Sequence, residues 1–279
     1  MVTTLDVSLD DGRTVRVHDT ARESRGELVL LWHHGSPQTG ALLEPLVAAS
    51  AARGIRLLSY GRPSYGGSTP NPDRDVASAA ADVVQIADAL GIERFATMGA
   101  SGGGPHALAC AAMLPDRICA VVTLAGIAPF SDEYDWFAGM AAPEGLQAAF
   151  GGREARAAFA LIEEFNPDSF VPADYAALDG SWASLNDDVQ ASAEWGDDGL
   201  IDDDVALASP WGFDLTQIVA PTLLVQGGRD RIVPPEHAAR MLRSLARGEL
   251  WSRPTDGHIS VLDAAPVALD WIRANAEPH

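Results

Sequence analysis

The chain has 279 residues and a mass of 29.4 kDa. With 47% hydrophobic residues it can bury one large core or two small ones, which excludes disorder as the dominant state. Acidic residues outnumber basic ones 39 to 19, for a net charge of −20, and that balance argues against a nucleic-acid backbone or an anionic membrane face as partner. The longest nearly apolar stretch, residues 118–130, is shorter than the roughly 20 residues of a membrane-spanning helix, and the N-terminus has neither the basic nor the apolar run of a secretory signal. A cytoplasmic protein is therefore expected. Cys110 and Cys119 are too few for a disulfide framework and, with the seven histidines, fit no zinc spacing, so neither a metal nor a cofactor is expected.

In chain order, Leu5, Val7 and Leu9 alternate with polar residues, as do Val15 and Val17 beyond the turn Asp10-Asp11-Gly12, so the chain is predicted to open with a hairpin. Short unbroken apolar runs follow at 28–32, 55–59, 95–98, 119–125 and 222–226. Runs that are apolar throughout suit parallel strands covered on both faces. Stretches with helical spacing lie between and after them, at 42–52, 76–90, 105–114, 237–245 and 261–274. The repeated order predicts an α/β fold with a mostly parallel central sheet flanked by helices.

Residues 128–214 break the alternation. They hold no strong strand pattern, several short helical ones, many aromatics, and 19 acidic residues against only Arg153 and Arg156. An inserted helical cap is the economical reading, with residues 1–127 and 215–279 forming the core. Its acidic charge is expected to be mainly solvated surface, with adaptation to salt or attraction of a cationic substrate as alternatives. Its aromatics are expected mostly to pack the cap helices, although such side chains can also line a substrate pocket.

Gly99-Ala100-Ser101-Gly102-Gly103 stands between the run ending at Met98 and the helix beginning near Pro105, which is the G-x-S-x-G pattern in its strand–turn–helix setting. A sharp turn leaves no room for Cβ atoms on the flanking glycines and projects the Ser101 hydroxyl, at a helix N-terminus that favours negative charge. His33-His34-Gly35-Ser36-Pro37 follows the first parallel strand, where a loop can bring a backbone N–H beside the serine. Gly227-Gly228-Arg229-Asp230-Arg231 ends a later strand, and Asp256-Gly257-His258 precedes the last helix, giving the chain order Ser, Asp, His. A serine hydroxyl needs a neutral imidazole to take its proton, and the resulting imidazolium needs a carboxylate on its other nitrogen. His258 suits the first role and Asp230 the second, with Asp256, Asp132 or Glu133 as rival acids. His106 and His237 read as packed histidines, and His33 or His34 as braces of the loop. Gly102-x-Gly104-x-x-Ala107 imitates a dinucleotide fingerprint but lacks its acidic partner.

On these residues the chain resembles the α/β-hydrolase-fold serine hydrolases with a helical cap. The resemblance extends over nearly the whole sequence and includes the hairpin, His34-Gly35-Ser36-Pro37, Tyr65-Gly66-Gly67-Ser68, the turn at Ser101, and the re-entry Pro210-Trp211-Gly212-Phe213-Asp214-Leu215. It implies Ser101 as nucleophile, His258 as base, Asp230 as its orienting acid, an oxyanion hole from the N–H groups of Ser36 and Gly102, and support of that loop by His34 and Gly35. Two positions depart from the family pattern: Ala100, where His is frequent, and Gly61, where many members carry Asp. The implied activity is hydrolysis of a small or medium carboxylic ester or lactone through an acyl-enzyme, with a small-molecule substrate and no cofactor. Alternatives are an aminopeptidase of the proline-iminopeptidase type, although the Gly-Pro-Gly run expected there is missing, carbon–carbon hydrolysis or perhydrolysis by the same residues, and a non-catalytic ligand receptor. Dehalogenase and epoxide-hydrolase chemistry is excluded by Ser101, where those relatives carry Asp. Nothing in the residues fixes an oligomeric state.

Overall fold

The computed structural model describes residues 2–20 and 28–276. The opening hairpin forms as β1 (Thr3–Ser8) and β2 (Thr14–Asp19), with Val7, Val15 and Val17 turned inward as the alternation requires. Six further strands follow: β3 (Leu28–His33), β4 (Ile55–Tyr60), β5 (Phe95–Ala100), β6 (Ile118–Leu124), β7 (Thr222–Gly227) and β8 (Gly248–Arg253). They make one eight-stranded sheet in the order β1-β2-β4-β3-β5-β6-β7-β8. Pairing is antiparallel for β1 with β2 and β2 with β4, and parallel from β4 to β8. This is the mostly parallel sheet that the strand–helix alternation predicts.

Burial explains which strands the sequence reveals. Every residue of β5 and β7 is buried, so those strands read as unbroken apolar runs. The sequence reading missed β8. It lies at the sheet edge, mostly half-buried or exposed, and Glu249, Ser252 and Arg253 interrupt any apolar run.

Helices cover both faces. On one, α2 (Ser78–Ala89), α3 (Gly103–Met113) and α9 (Pro235–Ser244) bury Val83, Ile86, Leu108 and Met241; on the other, α1 (Glu44–Ala51) and α10 (Ala265–Asn275) bury Leu46, Leu269 and Ile272. The chain between β6 and β7 holds five short α-helices, α4 (Glu144–Ala149), α5 (Arg153–Ala160), α6 (Pro172–Asp179), α7 (Ala183–Ser192) and α8 (Asp198–Ala208), besides three single turns of 3₁₀ helix. No helix among the described residues is long and apolar enough to cross a membrane. Because β3, β5, β7 and β8 are parallel, the loops after them meet at one edge of the sheet, where open α/β sheets gather their functional residues.

Candidate active site

Ser101 occupies the turn from β5 into α3 with φ +52°, in the left-handed region that non-glycine residues enter only under strain. Its N–H donates to Leu124 O and its carbonyl accepts from the Gly104 N–H, both at 2.9 Å, which ties the turn to β6 and to α3. The neighbouring glycines are required sterically. A Cβ on Gly99 would lie 2.2 Å from Gly103 O, and one on Gly103 would lie 2.2 Å from His33 O.

Asp230, in the loop after β7, is buried and fully engaged. Its Oδ1 accepts from the N–H groups of Ile232 (2.9 Å) and Val233 (2.8 Å), and its Oδ2 accepts from Gln226 Nε2 (3.2 Å) and faces His258 Nδ1 at 2.8 Å. Burial opposes charging the His258 ring, but the charge of Asp230, the bond to it and a smaller contribution from Asp174 prevail, and the ring's pKa stands above the usual imidazole value. Nε2 is left as the second nitrogen. Ser101 and His258 line one cavity of about 620 Å³ that also receives Gly35 and Ser36. The hydroxyl and the ring share that cavity without a direct hydrogen bond between them. Of the rival acids, Asp256 pairs instead with Arg253 at 2.7 Å, and Asp132 and Glu133 are exposed in the loop after β6.

The loop after β3 lies against the start of α3: a Cβ on Gly102 would sit 2.9 Å from Ser36 Oγ. Within that loop the Gly35 N–H donates to Gln38 Oε1 at 2.6 Å. The Arg62 N–H donates to His34 Nε2 at 3.2 Å, so that nitrogen carries the lone pair and Nδ1–H faces Gly35 O at 2.6 Å. Burial first and then the Arg62 charge hold the His34 pKa well below its usual value, which keeps the ring neutral. His106 turns its Nδ1 to Gly102 O at 2.7 Å, and burial pushes its pKa down to about 3.

Sequence reading missed the residues beneath this loop. Arg62, 1% exposed, donates to His34 O (2.5 Å), to Ser36 Oγ (2.9 Å) and to Asp203 Oδ2 (2.6 Å). Asp203, on α8, also accepts from Ser36 Oγ (2.6 Å), Tyr65 OH (3.0 Å) and Arg74 (2.8 Å). Burial would raise its pKa, yet Arg62 and Arg74 hold it well below the usual carboxylate range. Gly61 shows why Asp is absent there: any Cβ would lie 2.6 Å from Tyr65 O. The expectation of a mainly solvated acidic surface is corrected for Asp174, Asp188, Asp202, Asp203 and Asp204, all of which are buried. Asp202 pairs with Arg74 and Arg153, Asp204 with Arg156, and Asp188 accepts from the Thr39 N–H and hydroxyl. A triple aspartate cannot be a solvated face when arginines wait beneath it. Of the aromatics, Trp136 and Trp182 are core residues, whereas Phe165, Phe170 and Tyr175 line the cavity.

Residues 29–265 match the profile of the alpha/beta hydrolase fold family. The chain belongs to that family. This hydrolase is 26% identical over 257 residues to a putative non-heme chloroperoxidase of Synechocystis, covering 87% of this chain and 85% of the relative. It is 27% identical over 248 residues to a 2-hydroxy-6-oxo-6-phenylhexa-2,4-dienoate hydrolase of Burkholderia cepacia, covering 84% and 82%. Among solved structures, a thermophilic esterase from Thermogutta terrifontis superposes with a TM-score of 0.74 at 20% identity over 99% of this chain and 100% of that one, a likeness of fold.

Proposed function

We propose that this hydrolase cleaves uncharged carboxylic esters or lactones by acyl transfer through Ser101, with residues 128–214 acting as a cap over the site. The observation that supports it most is the 2.8 Å contact of His258 Nδ1 with a fully hydrogen-bonded Asp230, on the cavity that Ser101 lines. With Nδ1–H on Asp230, His258 Nε2 takes the Ser101 proton as Oγ attacks the carbonyl carbon. The N–H groups of Ser36 and Gly102 face the oxyanion, each such donor being worth roughly 10²- to 10³-fold in rate. The imidazolium then gives its proton to the departing alcohol, and water repeats the cycle on the acyl-enzyme to release the acid. Because the His258 pKa stands above the usual value near 6.5, activity rises with pH through an acid limb displaced upward from there.

Trp32, Leu43 and Leu262 from the core and Phe165, Phe170 and Leu185 from the helical segment suit an apolar acyl or alcohol group of moderate size. A second reading, hydrolysis of an oxo-dienoate, takes its support from the Burkholderia relative. Such a substrate brings a carboxylate, and among the described residues no Arg lines the cavity, while Asp179 does. A buried anion without a cation is costly, so the neutral substrate is favoured. Turnover of p-nitrophenyl esters from acetate to decanoate, beside the oxo-dienoate and amino-acid p-nitroanilides, tests this. The expected result is hydrolysis of short to medium esters alone; turnover of only the dienoate or the anilides overturns it.

A further inference from the structure

The loop that bears His258 is held from outside the core. Asp174, on α6, is fully buried. Its Oδ1 accepts from the N–H groups of Ile259 (2.9 Å) and Ser260 (2.8 Å) and from the Ser260 hydroxyl (2.8 Å). Its Oδ2 accepts from the His258 N–H (3.2 Å) and from the N–H of Val171 in its own helix cap (3.1 Å). Gly257 is fitted to this contact, because a Cβ there would lie 2.1 Å from Asp174 Oδ2.

The three N–H groups at 258–260 lie at the approach and start of the short 3₁₀ helix Ser260–Ala264, which has Ile259 at its cap and leads into α10. N–H groups at such a start have no partner within the helix, and the residue at the cap, Ile259, has no side-chain acceptor to offer. A carboxylate from a distant helix fills that place. It is a demanding arrangement, since a buried carboxylate carries a high desolvation cost and no Arg forms an ion pair with it among the described residues. A side chain serving only to stop a helix fraying would not need burial of this depth or a glycine cut to fit it.

We propose that Asp174 is a positioning residue for the base: by clamping the backbone at 258–260 it fixes the height and tilt of the His258 ring relative to Ser101, so that the helical segment completes the catalytic machinery as well as covering it. The proposal rests on the reading of Ser101, His258 and Asp230 given above. Asp174 and Asp230 are the charged groups acting on the ring; Tyr175 and Asp179 of α6 line the same cavity, and the turn at Ser101 presents no charge.

The test compares wild type, Asp174→Asn and Ser260→Ala for fluorophosphonate labelling, for the pH profile of kcat/KM on p-nitrophenyl butyrate, and for Tm. Asparagine keeps one acceptor but turns an NH₂ group toward the N–H groups of His258 and Val171. Expected for Asp174→Asn is a fall in kcat of about 10- to 100-fold, the scale of a slight misplacement of a reacting group, with KM within about twofold. Its acid limb moves to lower pH, because a negative charge that favours the imidazolium has gone. Ser260→Ala retains the charge, so kcat falls a few-fold with the acid limb in place. Wild-type kcat in a folded Asp174→Asn protein overturns the proposal, and so does a loss of activity that merely follows the loss of folded protein with the acid limb unmoved. If Asp174→Asn does not fold, Ser260→Ala decides: lowered kcat at wild-type Tm supports the clamp, and wild-type kcat rejects it. An unlabelled, inactive wild type is a different failure, which removes the reading of Ser101 and the clamp with it.

Discussion

Along the C-terminal edge of the sheet, Ser101 and Asp230 lie in loops beside glycines that backbone crowding demands and His258 follows a glycine fitted to the Asp174 side chain, whereas in the helical segment Asp174, Asp188 and Asp203 lie on acidic helices of unremarkable sequence. Yet each of those three carboxylates ends on an edge loop: Asp174 on the chain at His258, Asp188 on Thr39, Asp203 on Ser36 and Arg62. The difference separates chemistry from placement. On the proposed reading, groups that react are constrained by local stereochemistry, which leaves a short motif; groups that hold them need only a buried acceptor at the right point in space, which any helix can supply.

The largest effects are expected on the edge. Ser101→Ala or His258→Ala should lower kcat by about a millionfold, and combining them should add little, because the two act as a unit. Asp230→Asn should cost about 10⁴-fold through the wrong tautomer of His258, while Asp256→Asn, which loses only its pair with Arg253, should stay within about twofold of wild type. Equal losses for the two aspartates would break the assignment.

For Asp203 and Asp188 of the helical segment the effects should fall on stability first. Asp203→Asn leaves Arg62 and Arg74 buried without their shared anion and should cost about 3–5 kcal/mol in urea unfolding. Asp188→Asn, which disturbs hydrogen bonds but strands no cation, should cost about 1–3 kcal/mol. If the order were reversed, the ion pair beneath Ser36 would not be what secures α8.

Acidification sharpens the comparison further. His33, His34, His106 and His237 are held neutral by burial, with His106 pushed down to about 3 and His237 to about 4. The unfolded chain binds protons at these sites below about pH 6.5 while the folded chain does not, so stability falls as pH drops from there toward 4. Asp204, raised to about 7 by burial despite Arg156, works the other way and favours the fold as it protonates. Asp188, Asp202 and His258, whose pKa values are also raised, act on the same side as Asp204, but the four buried rings are displaced further from their ordinary value than these three, so a net loss is predicted, read as a falling Tm between pH 7 and 4; a flat or rising Tm would contradict the burial of those rings. The smallest effect belongs to the pocket, where Leu185→Phe should shift ester preference toward shorter chains by a few-fold in kcat/KM.

How much of this was legible follows from the same division. The buried strands β5 and β7 announce themselves as apolar runs, and the Gly99–Gly103 turn follows from clashes that any side chain would create. The edge strand β8 escapes because one neighbour and partial cover tolerate Glu249 and Arg253. Arg62 stood inside a stretch already noted for its glycines, and the run Asp202-Asp203-Asp204 was visible as charge. Nothing in one dimension says that residues 62 and 203 meet, so a charge that is solvated by default reads as surface until its partner is seen.

The most direct measurement is peptide mapping by mass spectrometry after fluorophosphonate treatment of the wild-type protein and of His258→Ala. The account predicts one adduct, on the peptide containing Ser101, formed rapidly in the wild type and orders of magnitude more slowly without the imidazole. An adduct on another residue, or labelling at Ser101 that is indifferent to His258, would contradict it.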